Sequence, residues 1–198
     1  MAEDSYLVPV KAGEAQFREK MSRFISFAIP VSDAAEAKQH AARIANEYHD
    51  ARHVCFAYAL GKNRTGTYST DNGEPSGTAG RPILGQIASA EVSDVVVIVV
   101  RYFGGIKLGT SGLIAAYREA AKLALEDAGK TEKVLTEDLT VTFPYIAMNS
   151  VMKIAKSGDV SIVSQQFDNT CRITFRVRQS MIPEIKSRIA DIDGAICD

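Results

Sequence analysis

No long apolar run occurs in this 198-residue sequence: even the all-aliphatic Val95–Val100 is six residues, against the roughly 20 that cross a bilayer as a helix. A membrane-spanning helix is therefore not expected. Neither sign of charge dominates, since 23 Lys plus Arg stand against 24 Asp plus Glu. That balance excludes wholesale electrostatic attraction to nucleic acid or anionic lipid and leaves only local patches. Cysteine is scarce and unpatterned: Cys55, Cys171 and Cys197 are odd in number and lack C-x-x-C spacing. They read as reduced, structural thiols. A zinc site would need His49, His53 and Cys55 to meet a fourth ligand, a looser spacing than zinc sites show, so no metal and no cofactor are expected. The opening "MAEDSYLVPVKAGE" is acidic and lacks the basic-then-apolar pattern of an export signal. A cytoplasmic location is the expectation.

The apolar pattern that is present has two periods. "SRFISFAIP" reads as a strand ended by Pro30, and the run from Ser32 to His49 as a helix with Asp33 and Glu36 in a capping box. In "RHVCFAYAL" large residues alternate with small ones, giving a strand with a large face and a small face. Residues 61 to 85 then hold six of the 14 glycines and two of the six prolines, a long loop with one short strand at "TGTYST". "ILGQIASAEV" reads as a short helix, "DVVVIVVRYF" as a buried strand, and "GLIAAYREAAKLALEDAG" as a helix stopped by Gly129. Leu113, Ala116, Tyr117, Ala120, Leu123 and Ala124 form its core stripe. From residue 135 the order strand, helix, strand, strand, helix, strand restarts, with a tight turn at Asp168-Asn169 and a last strand at "GAICD". This is the ferredoxin-like arrangement. The expected division is thus 1–134 and 135–198.

Two glycine-rich segments, "DNGEPSGTAGRP" (71–82) and "RYFGGIKLGTSG" (101–112), stand out. The second follows a buried strand and opens into a helix, where unpaired N–H groups and the helix dipole favour an anion. Gly104 and Gly105 permit positive φ and close approach, and Thr110 or Ser111 is the expected N-cap. Gly104 and Gly109 have Walker spacing, but Thr110 stands where the phosphate-binding lysine belongs, which argues against nucleotide hydrolysis. The same glycines would also serve simply to pack the helix closely on the sheet. In the first segment, Ser76 and Thr78 supply small hydroxyls. Asp71 and Glu74 have the chemistry of an acid, base or cation ligand, yet no nucleophile is spaced beside them as a triad requires. They read as solvated carboxylates of a binding loop, and no catalytic residue is assigned. Arg64, Arg81, Arg101 and Lys107 lie in or beside these segments rather than on helical faces, and together would make an anion site. In the tail, Arg172, Arg176 and Arg178 alternate with Cys171, Ile173, Phe175 and Val177, an RNA-facing surface or an ordinary solvated face.

"DNGEPSGTAGRPIL" followed by "VVVIVVRYFGGIKLGTSGLIAAY" resembles the paired signature of the YigZ/Impact family, and "SRFI" and "ARHVCFAYAL" match its earlier segments. The likeness spans most of residues 20 to 120. The tail resembles the C-terminal domain of the bacterial members, itself similar to the last domain of elongation factor G. The resemblance implies an α+β protein whose first domain is a two-layer α/β unit with the fold shared by a ribosomal-protein domain and the galactokinase-type kinases. The sequence departs from the family at Asp71-Asn72, where two acidic residues are frequent, and at Ala51-Arg52-His53-Val54, where a histidine pair and an asparagine are frequent. Those departures weaken any role for an acidic cluster or a histidine pair in chemistry.

Eukaryotic relatives are regulators of translation in the amino-acid starvation response, so the resemblance implies a non-enzymatic cytoplasmic protein linked to translation. Its partner would be the ribosome, RNA or a translation-associated protein. The binding surface would hold Arg64, Asp71, Glu74, Ser76, Thr78, Arg81, Arg101, Tyr102, Gly104, Gly105, Lys107 and Thr110, with Tyr102 or Phe103 packing or stacking. The alternative is an enzyme or sensor for a small phosphorylated metabolite at the glycine-rich loop, with Asp71 or Glu74 as its acid-base group.

Overall fold

A computed structural model describes residues 3–158, 160–168 and 170–197. They fall into two compact units, one of Tyr6–Lys133 and one of Val134–Asp198 with Met1–Ser5. In chain order the stretch up to Val134 contains β1 (Ser5–Pro9), β2 (Gly13–Glu19), β3 (Ser22–Pro30), α1 (Ala34–Glu47), β4 (His53–Leu60), β5 (Gly66–Thr70), α2 (Gly80–Ser89), β6 (Val95–Tyr102), α3 (Gly109–Ala128) and β7 (Lys130–Val134). Strands β1 and β7 pair as a ribbon, and the main sheet runs β2-β3-β6-β4-β5. Its neighbouring strands are antiparallel throughout.

The central strand β6 explains the architecture. Val95, Val97 and Val99 face α2 and α3, with Cys55, Ala57 and Ala59 of β4 beside them. Val96, Ile98 and Val100 face α1, against its Ala37, Ala41 and Ile44. Because both faces of β6 are aliphatic, both must be covered, and each buried valine or isoleucine contributes on the order of 1.5–3 kcal/mol. The expected two-layer arrangement is accordingly corrected to three layers, helix on sheet on helices. The small face of β4 meets the alanine-rich face of α3, where Ala116, Ala120, Ala121 and Ala124 are buried. Leu123 lies at the edge of that stripe while Leu125 and Ala128 complete it.

Local signals set the helix ends. The Asp33 side chain accepts from Glu36 N at 2.8 Å, and the Glu36 carboxylate reaches back to Ser32 N at 2.7 Å, a reciprocal cap shifted by one residue. Helix α3 has no such cap: Leu108 precedes it in helical conformation, with no side-chain hydrogen bond to the first turn. The capping role expected of Thr110 or Ser111 is therefore wrong, because both already lie inside the helix.

The second unit contains β8 (Thr136–Phe143), α4 (Met148–Ala155), β9 (Val160–Phe167), β10 (Cys171–Arg178), α5 (Ile182–Ala190) and β11 (Ile196–Cys197). Sheet order is β11-β8-β10-β9, all neighbours antiparallel, which is the order of the ferredoxin-like motif. Ile173, Phe175 and Val177 are buried with Val141, Phe143, Val151, Ile154, Ile185 and Ile189. The expected tight turn includes Asn169, and the expected last strand includes Asp198, both of which lie outside the described residues.

On the other face of β10, which the sequence offers as RNA-facing or simply solvated, two of the three arginines are paired with carboxylates. Arg176 sits opposite Asp138 in the β8 register and forks onto its carboxylate at 2.8 and 2.9 Å. Arg178 forks onto Asp4, with contacts of 2.8 to 2.9 Å. Bidentate pairing of this kind commits both guanidinium planes. Arg172 is exposed and, of the three, lacks such a fork among the described residues.

Asp4 also accepts from Ser180 N at 3.0 Å, and its carbonyl accepts from Leu135 N at 2.8 Å. These bonds tie Asp4 to the second unit. The Arg178 fork, then the Ser180 contact, hold the Asp4 carboxyl well below the usual carboxylate range. A depressed folded-state value means a stabilising contribution present in full at neutral pH and lost as pH falls below about 4. Asp4→Asn should therefore lower the melting temperature at pH 7, and the gap between variant and parent should narrow toward pH 3 in thermal unfolding followed by circular dichroism. An equal gap at both pH values would contradict the ion-pair account.

Candidate functional site

The register of three strands builds the site. Arg101 lies two residues beyond Val99 on β6, so its side chain continues the face that packs on α3. It pairs in register with Phe24 of β3 and His53 of β4. The consequence is a guanidinium inside the protein: Arg101 is 5% exposed. Its Nη1 donates to Glu74 Oε1 at 2.6 Å, and Tyr117 OH of α3 donates to the same oxygen at 2.8 Å. His53 Nε2 stands 3.9 Å from that oxygen, while His53 Nδ1 is 3.1 Å from the Asn72 carbonyl. Phe24 lies edge-on to Tyr117 and under the Arg101 guanidinium, with Cζ 5.7 Å from the ring centre.

Cys55 completes the network. Its Sγ donates to the Asp71 carbonyl at 2.9 Å and lies 3.5 Å from Tyr117 OH. Burial, with the Glu74 and Asp71 charges adding, pushes the thiol up to about 12 against the opposing Tyr117 bond. Burial likewise raises the Tyr117 phenol, helped by Cys55 and Glu74. Both groups are protonated at neutral pH.

The loop between β5 and α2 is held by Asp71. Its Oδ1 accepts from Ala79 N at 2.9 Å and Gly80 N at 2.8 Å, and its Oδ2 from Gly77 N at 2.8 Å. Burial opposes the Asp71 charge, but these three bonds and Arg81 outweigh it, so the carboxyl lies below its ordinary range. Asp71 therefore caps α2 from outside, because Ala79 at the cap position has no side-chain acceptor of its own. Thr78 is buried and its hydroxyl donates to Pro75 O at 2.6 Å. The reading of Asp71 and Glu74 as solvated carboxylates is thus overturned: the first organises the loop and the second neutralises a buried arginine.

Beside this network lies a cavity of about 580 Å³ lined by Arg52, His53, Glu74, Pro75, Arg101, Phe103, Lys107, Leu108, Gly109, Thr110 and Leu113. Arg52, Lys107 and Thr110 are exposed at it. The uncapped start of α3 opens there too, so its first N–H groups have no side-chain acceptor. The four cations expected to cluster do not all converge. Arg64 is in the turn after β4, where its N–H bonds Gly61 O. Arg81 is in the first turn of α2, lining a separate cavity of about 490 Å³ with Arg118. Arg101 is buried, and Lys107 is joined instead by Arg52, which sequence reasoning had passed over as part of a departure from the family pattern.

The other named residues divide in the same way. Ser76 is exposed on the 71–80 loop. Tyr102 points elsewhere: its hydroxyl donates to Asp50 at 2.7 Å and Arg23 covers its ring. Gly104 is required by packing, since a Cβ there would collide with the Met21 backbone. Gly105 has φ +88 in open space and serves the turn. Among the described residues no three His, Cys, Asp or Glu side chains converge as a metal cluster.

Removing one partner of a buried pair leaves an uncompensated charge, at a cost of about 3–5 kcal/mol. Glu74→Ala should lose that much in urea unfolding, while Glu74→Gln with Arg101→Met, which keeps an acceptor for Tyr117, should lose less. Equal losses would show that the pair is not the cause. Iodoacetamide at pH 8, mapped by mass spectrometry, should leave Cys55 unlabelled until denaturant is added. Labelling of Cys55 in the folded protein would contradict its burial.

Comparison with known proteins places these elements in context. The Impact N-terminal domain model matches residues 20–125, which carry both glycine-rich segments, the Arg101–Glu74 pair and the cavity. An IMPACT family member of Haemophilus influenzae is 32% identical over 188 residues, 94% of this chain and 91% of that protein. One of Thermus thermophilus is 44% identical over 157 residues, 79% of this chain and 84% of that protein. A crystal structure described as that of a hypothetical protein is 27% identical, with a TM-score of 0.74 over 99% of this chain and 97% of its own. The chain belongs to the IMPACT family.

Proposed function

We propose that this protein is a cytoplasmic, translation-linked regulator that acts by binding, and that the cavity beside β6 and α3 is where it receives an anionic group of RNA. The observation that carries the reading is the meeting of Arg52, Lys107 and the uncapped first turn of α3 at one concave site. Cationic side chains and unpaired helix N–H groups attract the same ligand, an anionic oxygen. Family membership supports the link to translation, since the eukaryotic relatives named above are translation regulators. The state of the acid-base candidates favours binding over catalysis: the Asp71 carboxylate holds three backbone N–H groups and Glu74 holds Arg101 and Tyr117.

Burial of Arg101 changes which variant tests the reading. Arg101→Glu would set two carboxylates against each other in the interior, whereas Arg52 and Lys107 are exposed and replaceable without disturbing the core. Ribosomes from the cognate extract should co-sediment with the protein at low salt and less at moderate salt. Arg52→Glu with Lys107→Glu should reduce that association at least tenfold. Absence of association at either salt, or full association of the folded double variant, would overturn the proposal.

A further inference from the structure

We infer that the cavity takes one nucleotide, with its phosphate at Lys107 and the start of α3 and its base against Phe103. The inference rests on the cavity being the binding site proposed above, and names what enters it.

One guanidinium at the cavity is only partly satisfied. Arg101 lines the cavity, is 95% buried, and its Nε has no hydrogen-bond partner among the described residues. Buried side-chain donors are nearly always paired, and a guanidinium is satisfied fully only by acceptors along its whole fork. Here Nη1 has Glu74, while Nε faces none. Nε itself is enclosed by protein, so an anionic ligand in the cavity meets this guanidinium through its charge rather than through that atom. Formal charge agrees: Arg52, Lys107 and Arg101 against Glu74 leave the lining positive even with His53 neutral.

The size and walls of the cavity describe the rest of the ligand. Inorganic phosphate would occupy a small part of about 580 Å³, a volume in the range that encloses whole small molecules. Its apolar walls are Pro75, Phe103, Leu108 and Leu113, which suit a ligand with an apolar body attached to its charge. Phe103 points to a flat one. Its ring lies 5.7 Å from Arg101 Cζ yet is 48% exposed, so one side covers the guanidinium and the other is open. An exposed ring backed by an arginine is a stacking platform for a nucleobase. Phosphate, planar body and a concave site of this size together describe a nucleoside monophosphate, whether free or as an unpaired nucleotide of an RNA chain.

The test is thermal unfolding and calorimetric titration of the full chain with the four 5′-ribonucleoside monophosphates, ribose 5-phosphate, and tetraribonucleotides carrying the same bases. At least one nucleotide should raise the melting temperature by about 5 °C or more at 100 times its dissociation constant. Ribose 5-phosphate should bind at least tenfold more weakly. Lys107→Glu should abolish the shift, and Phe103→Ala should weaken nucleotide binding tenfold while leaving ribose 5-phosphate unchanged; both side chains are exposed, so both variants should fold. A tetranucleotide binding at least tenfold tighter than its monomer assigns the source to RNA, and the reverse order assigns it to a free nucleotide. No response to any nucleotide or tetranucleotide at millimolar concentration, equal binding of ribose 5-phosphate, or a shift insensitive to both substitutions would overturn the inference. Ribosome association that depends on Lys107 without nucleotide binding would remove this inference and leave the proposed function standing.

Discussion

The buried pairing of Arg101 with Glu74 is the constraint around which the first unit is arranged. Taking a guanidinium out of water costs several kcal/mol unless its charge and donors are met, and meeting them here requires four separate parts of the chain. Strand β6 delivers the arginine, the 71–80 loop delivers the carboxylate, α3 delivers Tyr117, and β3 delivers the Phe24 ring below. Asp71 is what makes the loop a dependable carrier, because its three backbone bonds fix the chain three residues before Glu74. The two glycine-rich segments are therefore two halves of one polar contact rather than two independent loops.

That arrangement separates rigidity from recognition. Cys55, Tyr117 and Glu74 are consumed by one another in the interior, with the thiol and phenol held protonated by burial. Arg52, Phe103 and Lys107 are exposed just outside β4, β6 and α3, whose ends meet at this interior network. A site whose outer groups stand on a fixed inner frame loses little conformational entropy when it is occupied. The glycines assist in different ways: Gly104 lets the chain pass the Met21 backbone, whereas Gly105 turns it.

Much of this was legible in the sequence where a single period governs. The β4 and β6 strands, the two long helices of the first unit and the strand-helix order of the second all follow from alternation and the helical repeat. The family was legible from the glycine-rich segments themselves. What escaped was the inward side of charged residues. The charge of Arg101 suggests a surface cation, although its parity with Val95, Val97 and Val99 places it on the helix-covered face. Glu74 was missed for the complementary reason: a loop carries no period, so nothing local indicates that its carboxylate turns inward. The strands β1, β2 and β7 were also missed, since "SYLVP", "GEAQFRE" and "KTEKV" mix charge into short segments whose pairing is decided by partners distant in sequence. The forks of Arg176 and Arg178 needed the register and the position of Asp4 respectively.

The position of Asp4 bears on how the chain is made. Its partner Arg178 lies 174 residues later, so during synthesis Asp4 emerges long before the arginine with which it pairs. The second unit is discontinuous in sequence and closes only after every strand of the first unit's main sheet has been translated. Vectorial synthesis thus imposes an order on the two units that thermodynamic unfolding of the finished protein does not display.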